Sequence, residues 1–406
     1  MDEAVFTAAT PRRSNATTIL RIAWEGAAIT AADLMAATSL TRSTVIGLCD
    51  ELVDTGWLRE LPNARTAGSD YHKGRPARRY ELRADAGVVI GLDAGPHRFR
   101  ATVADLRGAV LGSSSRAADP TMAAGGERLG LAEAVIGEAL ATAGVDAADV
   151  LCLTVGVSAP VDGQGISPQT TVDFWQRMNP GFAHHFAARG WATVVENDAN
   201  LAAVAEGAWG AGRGCGSYVT LVSGERFGAG YVLDGQLVRG ASGGAGELHL
   251  LDLVEGVGSA DGLGAVARQW AREARASEAP GTPGVLAGLD SEQINAEQVF
   301  DAARQGDALA VDIADRLAAR LARICAVLAG LLDVERIIVA GAVAPALDLL
   351  LEQTCRKLGE LMHTPPPEIV ASTLGDKVVG AGAVVRSLQY VRDHALDMRP
   401  ASSGGR

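Results

Sequence analysis

The sequence predicts an α/β protein in which a winged helix-turn-helix unit precedes a duplicated, two-lobed α/β domain. Two observations support this prediction. The first 85 residues show the pattern helix, helix, short turn, helix, followed by two short strands. From residue 86 onward, an order of three strands, a helix and a further strand occurs twice. Such a repeat indicates two similar lobes with a ligand-binding cleft between them.

Composition limits the class of protein. The chain has 406 residues, enough for two or three domains, and 48% of them are hydrophobic. Its five cysteines are scattered, with no CxxC pair, which argues against a disulfide framework and a clustered zinc site. The first residues are acidic, without an apolar signal core, and no apolar run is long enough to span a bilayer. We therefore expect a cytoplasmic protein without membrane contact.

The net charge of −12 is unevenly distributed along the chain. Residues 1–85 contain 11 Lys/Arg and 11 Asp/Glu, so they contribute no net charge. Within them, residues 58–83 contain seven basic and three acidic residues, a local charge of +4. A basic segment in an acidic protein predicts a localised anion-binding surface.

Three helices are predicted before residue 57. The first covers residues 14–25, and the second begins at a capping box formed by Thr30 and Asp33 and ends near residue 37. After a tight turn at residues 38–40, Thr41 caps a longer helix that Gly56 closes. This order is typical of a helix-turn-helix motif, whose last helix enters the major groove of DNA by its N-terminal end.

The third helix and the segment after it predict the contacts to DNA. Hydroxyls and an arginine in the first turn of that helix suit phosphates and base edges. Residues 57–61 and 78–82 are predicted to be the strands of a wing, with a Gly-Arg-Pro loop whose arginine can enter a minor groove. The predicted DNA-binding residues are Thr41, Arg42, Ser43, Thr44, Lys73, Arg75 and Arg78. The alternative is a small helical bundle with a solvated basic hairpin.

The remainder of the chain supplies the two lobes. Strands are predicted at residues 88–95, 98–104, 109–113 and 150–158, with a helix at 126–143. In the second copy, strands are predicted at 217–221, 228–233, 236–238 and 336–340, with helices at 262–276, 296–305 and 307–332. Residues 277–293, rich in Gly, Pro and Ala, are expected to be an insertion loop. Residues 397–406 are expected to form a disordered tail.

The central stretch is the strand-to-helix junction at residues 192–206. A carboxylate there lies at the carboxyl end of a strand, where open α/β sheets bind ligands. Asn197 and Asp198 offer donors and acceptors that suit a polyol such as a sugar. The alternative is that Asn197 or Asp198 only caps the following helix.

The chain resembles the ROK family of repressors, open reading frames and sugar kinases, and within it the regulator branch that includes the xylose and N-acetylglucosamine repressors. The resemblance covers nearly the whole chain, to about residue 388. The two most specific matching stretches are Glu196-Asn197-Asp198-Ala199-Asn200, and Arg239-Gly240-Ala241 together with Gly246-Glu247. The family implies an actin-like, ribonuclease H-like duplicated fold of the sugar-kinase type, with a sugar in the cleft. In its kinases the residue at the position of Asp198 is the general base, and those at Asn197 and Glu247 bind sugar hydroxyls.

Both phosphate loops depart from the family's kinase pattern. The first loop has Pro96 and His97 where kinases have Gly and Thr, and Pro96 removes a backbone N–H that a phosphate needs. The second has Glu225 and Arg226 where kinases have Gly-Thr-Gly, and Glu225 is expected to repel a triphosphate unless Arg226 offsets it. Because phosphoryl transfer depends on positioning and charge neutralisation, Asp198 is expected to be a vestigial base.

The zinc loop of the family departs as well. The resemblance implies a Cys-rich loop and a nearby His that bind zinc and shape the sugar site. Residues 248–264 contain no cysteine, so we expect no metal. Leu250 stands at the position of the family's His, and His249 lies one residue earlier. Gly264 stands where the family has a sugar-binding Glu. The predicted ligand-binding residues are Asn197, Asp198, Glu247 and His249.

These observations predict a DNA-binding regulator, a repressor, whose catalytically degenerate domain senses a sugar, a sugar phosphate or another sugar derivative and needs no cofactor. Its expected partners are a double-stranded DNA operator, the effector, and a second copy in a homodimer or higher oligomer. The expected domains are residues 1–85, a first lobe of 86–199 plus 378–396, and a second lobe of 200–377. The alternatives are an active ATP-dependent sugar kinase with an accessory DNA-binding domain, and a regulator without any small-molecule ligand. The sequence does not reveal the operator, the effector, or whether the protein represses or activates transcription.

Overall fold

The computed structural model describes residues 6–62, 78–119, 125–169, 173–277 and 284–400, with side chains from residue 11. The helices are α1 (Phe6–Glu25), α2 (Ala31–Thr38), α3 (Arg42–Asp54), α4 (Gly125–Ala143), α5 (Phe174–Met178), α6 (Phe182–Ala187), α7 (Asp198–Trp209), α8 (Leu263–Ser277), α9 (Ala296–Arg304), α10 (Ala308–Leu332), α11 (Asp348–Leu361) and α12 (Val378–His394). The strands are β1 (Ile29–Thr30), β2 (Leu58–Leu61), β3 (Arg79–Leu82), β4 (Val88–Ala94), β5 (Arg98–Asp105), β6 (Val110–Ala117), β7 (Val150–Val157), β8 (Ala192–Asn197), β9 (Tyr218–Ser223), β10 (Phe227–Leu233), β11 (Gln236–Val238), β12 (Arg336–Ala340) and β13 (Glu368–Ala371).

Helices α1 to α3 and a small antiparallel sheet of order β1-β3-β2 form what we call the N-terminal unit. The predicted capping box is present, because Thr30 accepts from the Asp33 N–H while the Asp33 carboxylate accepts from the Thr30 N–H. Thr41 caps α3 as predicted. Strands β2 and β3 pair in register, from Leu58 opposite Leu82 to Leu61 opposite Arg79.

Two features of the N-terminal unit differ from the prediction. Helix α1 begins at Phe6 rather than at residue 14 and continues through Pro11. Pro11 lies in the second turn of α1, where a proline keeps a helical φ but removes one backbone hydrogen bond, so the helix continues through it at some cost in stability. Strand β1 was not predicted, because a strand of two residues has no detectable period and forms only by pairing with β3.

The predicted duplication is confirmed by two five-stranded sheets. Their orders are β6-β5-β4-β7-β8 and β11-β10-β9-β12-β13, so the second repeats the first strand for strand. In each sheet the first three strands are antiparallel, and the last two join in parallel. We call the sheet of β4 to β8 with α4 to α6 and α12 the first lobe, and the sheet of β9 to β13 with α8 to α11 the second lobe. Helix α7 starts at the end of β8 in the first lobe and packs on β9 and β10 of the second, so it joins the two. Helices α5, α6, α11 and α12 and strand β13 were not predicted from the sequence.

Helices α7 and α12 cross where the two lobes meet, and α12 also packs on β4 and β7. The crossing is close, because a Cβ placed on Gly382 of α12 would lie 1.8 Å from the carbonyl oxygen of Leu201 in α7. Helix α7 begins directly at Asp198, so this crossing positions the predicted site residue.

The N-terminal unit and the first lobe share one hydrophobic core. Buried side chains of the N-terminal unit, such as Ile19 and Leu52, belong to the same cluster as Leu106 after β5 and Val391 of α12. Polar contacts reinforce this junction at the end of α1, where the guanidinium of Arg107 donates to the carbonyl oxygens of Ala23, Trp24 and Gly26 at 2.7–3.3 Å.

Ion pairs also connect α1 to the end of the described chain. Arg21 pairs with Asp393 at 3.0 Å, and Arg13 pairs with Asp397 at 2.5 Å. Asp397 ends a short 3-10 helix, Ala395–Asp397, so the segment expected to be a disordered tail begins with an ordered turn. Residues 401–406 lie outside the described residues. Among the helices of the described residues, none has both the length and the apolar composition that a bilayer span requires.

Candidate functional site

The strand-to-helix junction between β8 and α7 places Asn197 as a helix cap. Its side-chain oxygen accepts from the N–H groups of Ala199 and Asn200 at 2.9 and 3.1 Å. Its side-chain amide donates to the carbonyl oxygen of Ala159 at 3.2 Å. Asn197 is buried, and both ends of its side chain are bonded within the protein. Asn197 therefore caps α7, as the alternative interpretation of the sequence predicted. A ligand that contacts Asn197 has to share these hydrogen bonds.

Asp198, the first residue of α7, has a half-buried carboxylate. One oxygen accepts from the Ser158 hydroxyl at 2.6 Å, and the other accepts from the Ala199 N–H at 2.8 Å. Burial raises the pKa of Asp198 above its ordinary value, and the Ser158 hydrogen bond acts in the opposite direction. A carboxylate held in this way is fixed in position and can accept a hydrogen bond or a proton from a ligand hydroxyl.

Asp93 at the end of β4 is a second acidic group in the cleft, and the sequence analysis did not include it. Burial raises the pKa of Asp93 to about 7, with a further contribution from the charge of Asp198 and an opposing one from Arg100. The order of the strands could have pointed to Asp93. Strands β4, β7 and β8 are parallel neighbours in which Ala94, Val157 and Asn197 lie in line. Their carboxyl ends therefore meet at one edge of the sheet.

We expect Asp93→Asn to make the protein more stable at pH 8, with little change at pH 4. The folded-state pKa of about 7 exceeds the ordinary value of 3.8, so wild-type stability decreases as pH rises through this window. Asparagine carries no charge to desolvate, so the gain at pH 8 is on the order of 1–3 kcal/mol. Denaturant unfolding at pH 4, 6 and 8 measures it. An equal loss of stability at all three pH values would contradict the assignment.

Glu247, Arg226 and His249 face the cleft from the second lobe. Burial raises the pKa of Glu247, the charge of Asp198 raises it further, and Arg226 acts in the opposite direction. The Arg226 guanidinium lies 3.2 Å from Nδ1 of His249 and 3.6 Å from the carboxylate of Asp261. The charge of Asp198 thus acts on Glu247 across the cleft, whereas His249 is exposed and contacts Arg226.

A buried ion pair joins the two stretches that are most specific in the sequence. The carboxylate of Glu196, 3% exposed, accepts from Nε of Arg239 at 2.6 Å. Its other oxygen accepts from the Asn200 side chain and from the Asn197 N–H. Glu196 is the last but one residue of β8 in the first lobe, and Arg239 follows β11 in the second, so this pair connects the two sides of the cleft.

The first phosphate loop follows Asp93 and is held by a buried arginine from α4. Nη2 of Arg128 donates to the carbonyl oxygens of Ala94 and Gly95 at 2.7 and 3.2 Å. The guanidinium lies 4.7 Å from the centre of the Phe99 ring, and burial lowers the pKa of Arg128 to about 10. The loop therefore turns these two carbonyl oxygens toward Arg128 and has Pro96 at its next position, so it offers few N–H donors to a phosphate.

The polar side chains of the second phosphate loop already have hydrogen-bond partners within the second lobe. The Ser223 hydroxyl accepts from the Leu263 N–H at the start of α8 at 2.9 Å. Glu225, expected to repel a triphosphate, makes a two-pronged ion pair with Arg268 at 2.8 and 3.2 Å. A cavity of about 400 Å³ lies beside this loop, and basic and acidic residues are equally numerous in its lining. The charged lining residues are Arg226, Arg268, Arg272, Glu225, Asp261 and Glu273.

At the start of α3, the four predicted DNA-contact residues lie together on the surface. Thr41, Arg42 and Ser43 are exposed, and Thr44 is half-buried. The Thr41 hydroxyl lies 3.1 Å from that of Ser43 and 2.9 Å from that of Thr44, so these hydroxyls form one local network. The first turn of α3 therefore offers three hydroxyls and a guanidinium to solvent.

Arg78, the other described residue of the predicted DNA contacts, is engaged within the protein. It donates to Asp50 of α3 at 2.6 Å and to both oxygens of Glu60 in β2 at 2.6 and 2.8 Å. These bonds tie the β2–β3 hairpin to α3, and they leave Arg78 less available to a phosphate. Lys73 and Arg75 lie outside the described residues.

No set of three or more His, Cys, Asp or Glu side chains within the described ranges is arranged to hold a metal ion. The five cysteines are all free thiols, four of them at least partly buried.

The chain belongs to the ROK family, because the model of that family matches residues 89–387. It is 28% identical to the glucokinase of Streptomyces coelicolor over 322 residues, which are 74% of this chain and 98% of that enzyme. It is 31% identical to the glucokinase of Halalkalibacterium halodurans over 208 residues, 43% of this chain and 61% of that relative.

Solved structures show the same fold. A ROK glucokinase from Streptomyces griseus in complex with glucose and AMPPNP is 29% identical, with a TM-score of 0.62, and covers 75% of this chain and 100% of its own. A ROK family transcriptional regulator, a homologue of the E. coli MLC protein, has a TM-score of 0.76 at 23% identity and covers 96% of this chain and 98% of its own. The fold likeness to the regulator thus extends over about a fifth more of this chain than the likeness to the glucokinase.

Proposed function

We propose that this protein is a DNA-binding transcriptional regulator, a repressor, whose two-lobed domain senses a sugar or sugar derivative. The observation that supports this most is the N-terminal unit, which presents the first turn of α3 to solvent and shares its core with the first lobe. Helix, turn, helix and a β hairpin in this order match a winged helix-turn-helix. The regulator of the same fold spans this unit, and the glucokinases match about three quarters of the chain.

Both phosphate loops favour a sensor over a kinase. The first loop directs two carbonyl oxygens to Arg128, and Pro96 lacks an N–H. In the second, Glu225 holds Arg268, so this arginine is not available to neutralise a nucleotide phosphate. Phosphoryl transfer requires a positioned, charge-neutralised phosphate, which neither loop provides. In this proposal Asp198 binds a ligand hydroxyl and does not act as a catalytic base.

The effector is proposed to bind between the lobes, at Asp198 and Glu247, with Asn197 and His249 beside them. Carboxylates from opposite sides of a cleft can bind the same polyol only when the lobes are closed, so a ligand favours the closed state. The N-terminal unit moves with the first lobe because the two share one core. In a homodimer bound to a two-fold operator in the cytoplasm, closure changes the spacing of the two recognition helices.

We expect Arg42→Ala to weaken operator binding by about 5- to 100-fold at physiological salt, since one arginine contact to DNA contributes roughly 1–3 kcal/mol. The operator is first selected from randomised DNA duplexes with the wild-type protein. Fluorescence anisotropy with the selected duplex then gives Kd over a range of salt concentrations. If Arg42 contacts a phosphate, the slope of log Kd against the logarithm of the salt concentration also falls by about one.

The matched control is Arg316→Ala, which removes the same charge from an exposed position of α10 in the second lobe. It should leave Kd unchanged. Selection of no duplex, or equal Kd values for wild type and Arg42→Ala, would contradict the proposal. ATP-dependent phosphorylation of D-glucose that Asp198→Asn abolishes would favour the kinase alternative.

A further inference from the structure

The loop after Glu247 differs from the zinc loop of the ROK family in its chemistry. Residues 248–264 contain no cysteine, and no metal-binding cluster exists among the described residues. Thiolate-bound zinc therefore does not fit this loop. Its backbone nevertheless follows a defined path, with the Ala260 N–H bonded to Asp252 at 2.9 Å and the Ala260 carbonyl oxygen accepting from the Phe227 N–H at 2.7 Å.

A buried guanidinium from α10, that of Arg320, lies under the inner side of this loop. Nε of Arg320 donates to the carbonyl oxygen of Val257 at 3.0 Å, and Nη2 donates to those of Ser259 and Asp261 at 2.7 Å each. Arg320 is 2% exposed, and its guanidinium lies 5.5 Å from the centre of the Phe227 ring. Three carbonyl oxygens from a five-residue stretch thus converge on one buried cation.

We infer that Arg320 takes the place of the zinc ion, as a built-in cation that fixes residues 254–262 by binding their carbonyl oxygens. A guanidinium is suited to this role because its donors are planar, fixed in direction and permanently charged. Hydrogen bonds from a charged donor are stronger than neutral ones, above all where water is excluded. Arg320 is a positioning residue, since it contacts the loop and not the cleft.

The loop connects Arg320 to the cleft through Asp261. The carbonyl oxygen of Asp261 accepts from Arg320, while its carboxylate lies 3.6 Å from the guanidinium of Arg226. Arg226 also pairs with Asp261 in a β-bridge and contacts His249. Arg320 therefore sets the position of Arg226, the cation that acts on Glu247. Only this last step, in which the loop shapes the effector site, rests on the proposed function.

Hydrogen–deuterium exchange of the full-length protein, without DNA or effector, tests the inference. We expect Arg320→Gln to accelerate exchange of the amides in residues 254–263 by at least about 10-fold, because the loop loses a charged donor and its carbonyl oxygens stay buried. Amides of β12 report on global stability in the same experiment. Arg320→Lys should give an intermediate rate, since an ammonium group keeps the charge but not the planar fork.

The matched control is Arg316→Gln, one helical turn earlier on α10, where the side chain is exposed and lies over Trp270. It should leave exchange in residues 254–263 unchanged. The wild-type protein should contain no stoichiometric zinc by mass spectrometry, and EDTA should not alter exchange of the loop. If Arg320→Gln does not fold, Arg320→Lys and the zinc analysis decide the matter.

Wild-type exchange rates in the loop of both Arg320 variants would overturn the inference, and so would bound zinc whose removal accelerates exchange there. Because no readout involves DNA or a ligand, failure of this test leaves the proposed regulator function standing. Conversely, absence of operator binding would leave the role of Arg320 unaffected.

Discussion

Gly382→Ala is expected to destabilise the protein by at least about 3 kcal/mol. The added methyl group would lie 1.8 Å from the Leu201 carbonyl oxygen and 2.5 Å from its carbon. These are backbone atoms at the crossing of α12 and α7, so no side-chain rotation can relieve the overlap, and one helix must shift. The shift would also move Asp198 at the start of α7. Urea unfolding followed by circular dichroism measures the loss.

Gly380→Ala is the matched control for this prediction. It lies one half-turn earlier in the same helix and is also buried, yet its added methyl group would meet no atom within 4 Å. Alanine favours a helix over glycine by up to about 1 kcal/mol, so this variant should be as stable as wild type or slightly more stable. Equal stability of the two variants would show that the close helix crossing is not as described.

The second large effect is expected at the ion pair between Glu196 and Arg239. Arg239→Met should cost about 2–4 kcal/mol, because it leaves the buried carboxylate of Glu196 without its counter-ion. Water reaches part of this site, since the Arg239 side chain is 36% exposed, and the cost is therefore below that of a fully buried pair. The double variant with Glu196→Gln should be less destabilised than the sum of the single variants, with a coupling energy of about 1–3 kcal/mol.

The exposed pair between Arg12 and Glu51 provides the comparison for this double-mutant cycle. Its partners are 64% and 52% exposed, and such pairs contribute less than about 1 kcal/mol. Denaturant unfolding of all four species in each cycle gives the two coupling energies. If the coupling between Glu196 and Arg239 did not exceed that of the exposed pair, the connection across the cleft would be energetically unimportant.

Local chemistry explains most of what the sequence predicted correctly. The Thr30 capping box, the Thr41 cap and the repeated order of strands and helices each depend on residues that are close in sequence. Asn197 illustrates the limit of such reasoning, because the same residue type suits a helix cap and a sugar hydroxyl. The structure shows the cap, and a role in binding stays a prediction.

Contacts between distant segments explain what was missed. Arg128 and Arg320 are charged residues on otherwise apolar helix faces, and nothing near them in sequence indicates that they bind loops 33 and 59–63 residues away. Likewise, the ion pairs of Arg78 with Asp50 and Glu60 were not predicted, because the fold brings these residues together, and its contact to DNA stays a prediction. Strand β13 has four residues, too few for a clear period, and is defined by pairing with β12.

The shared core of the N-terminal unit and α12 has a consequence for the order in which the protein folds. Helix α1 is synthesised before its partners in this core, since Val391 of α12 and Ala395 of the following 3-10 helix come about 370 residues later. Until then, the apolar face of α1 that they cover remains open to solvent or to chaperones. The first turn of α3, which we propose contacts DNA, thus reaches its final support only after both lobes have been translated.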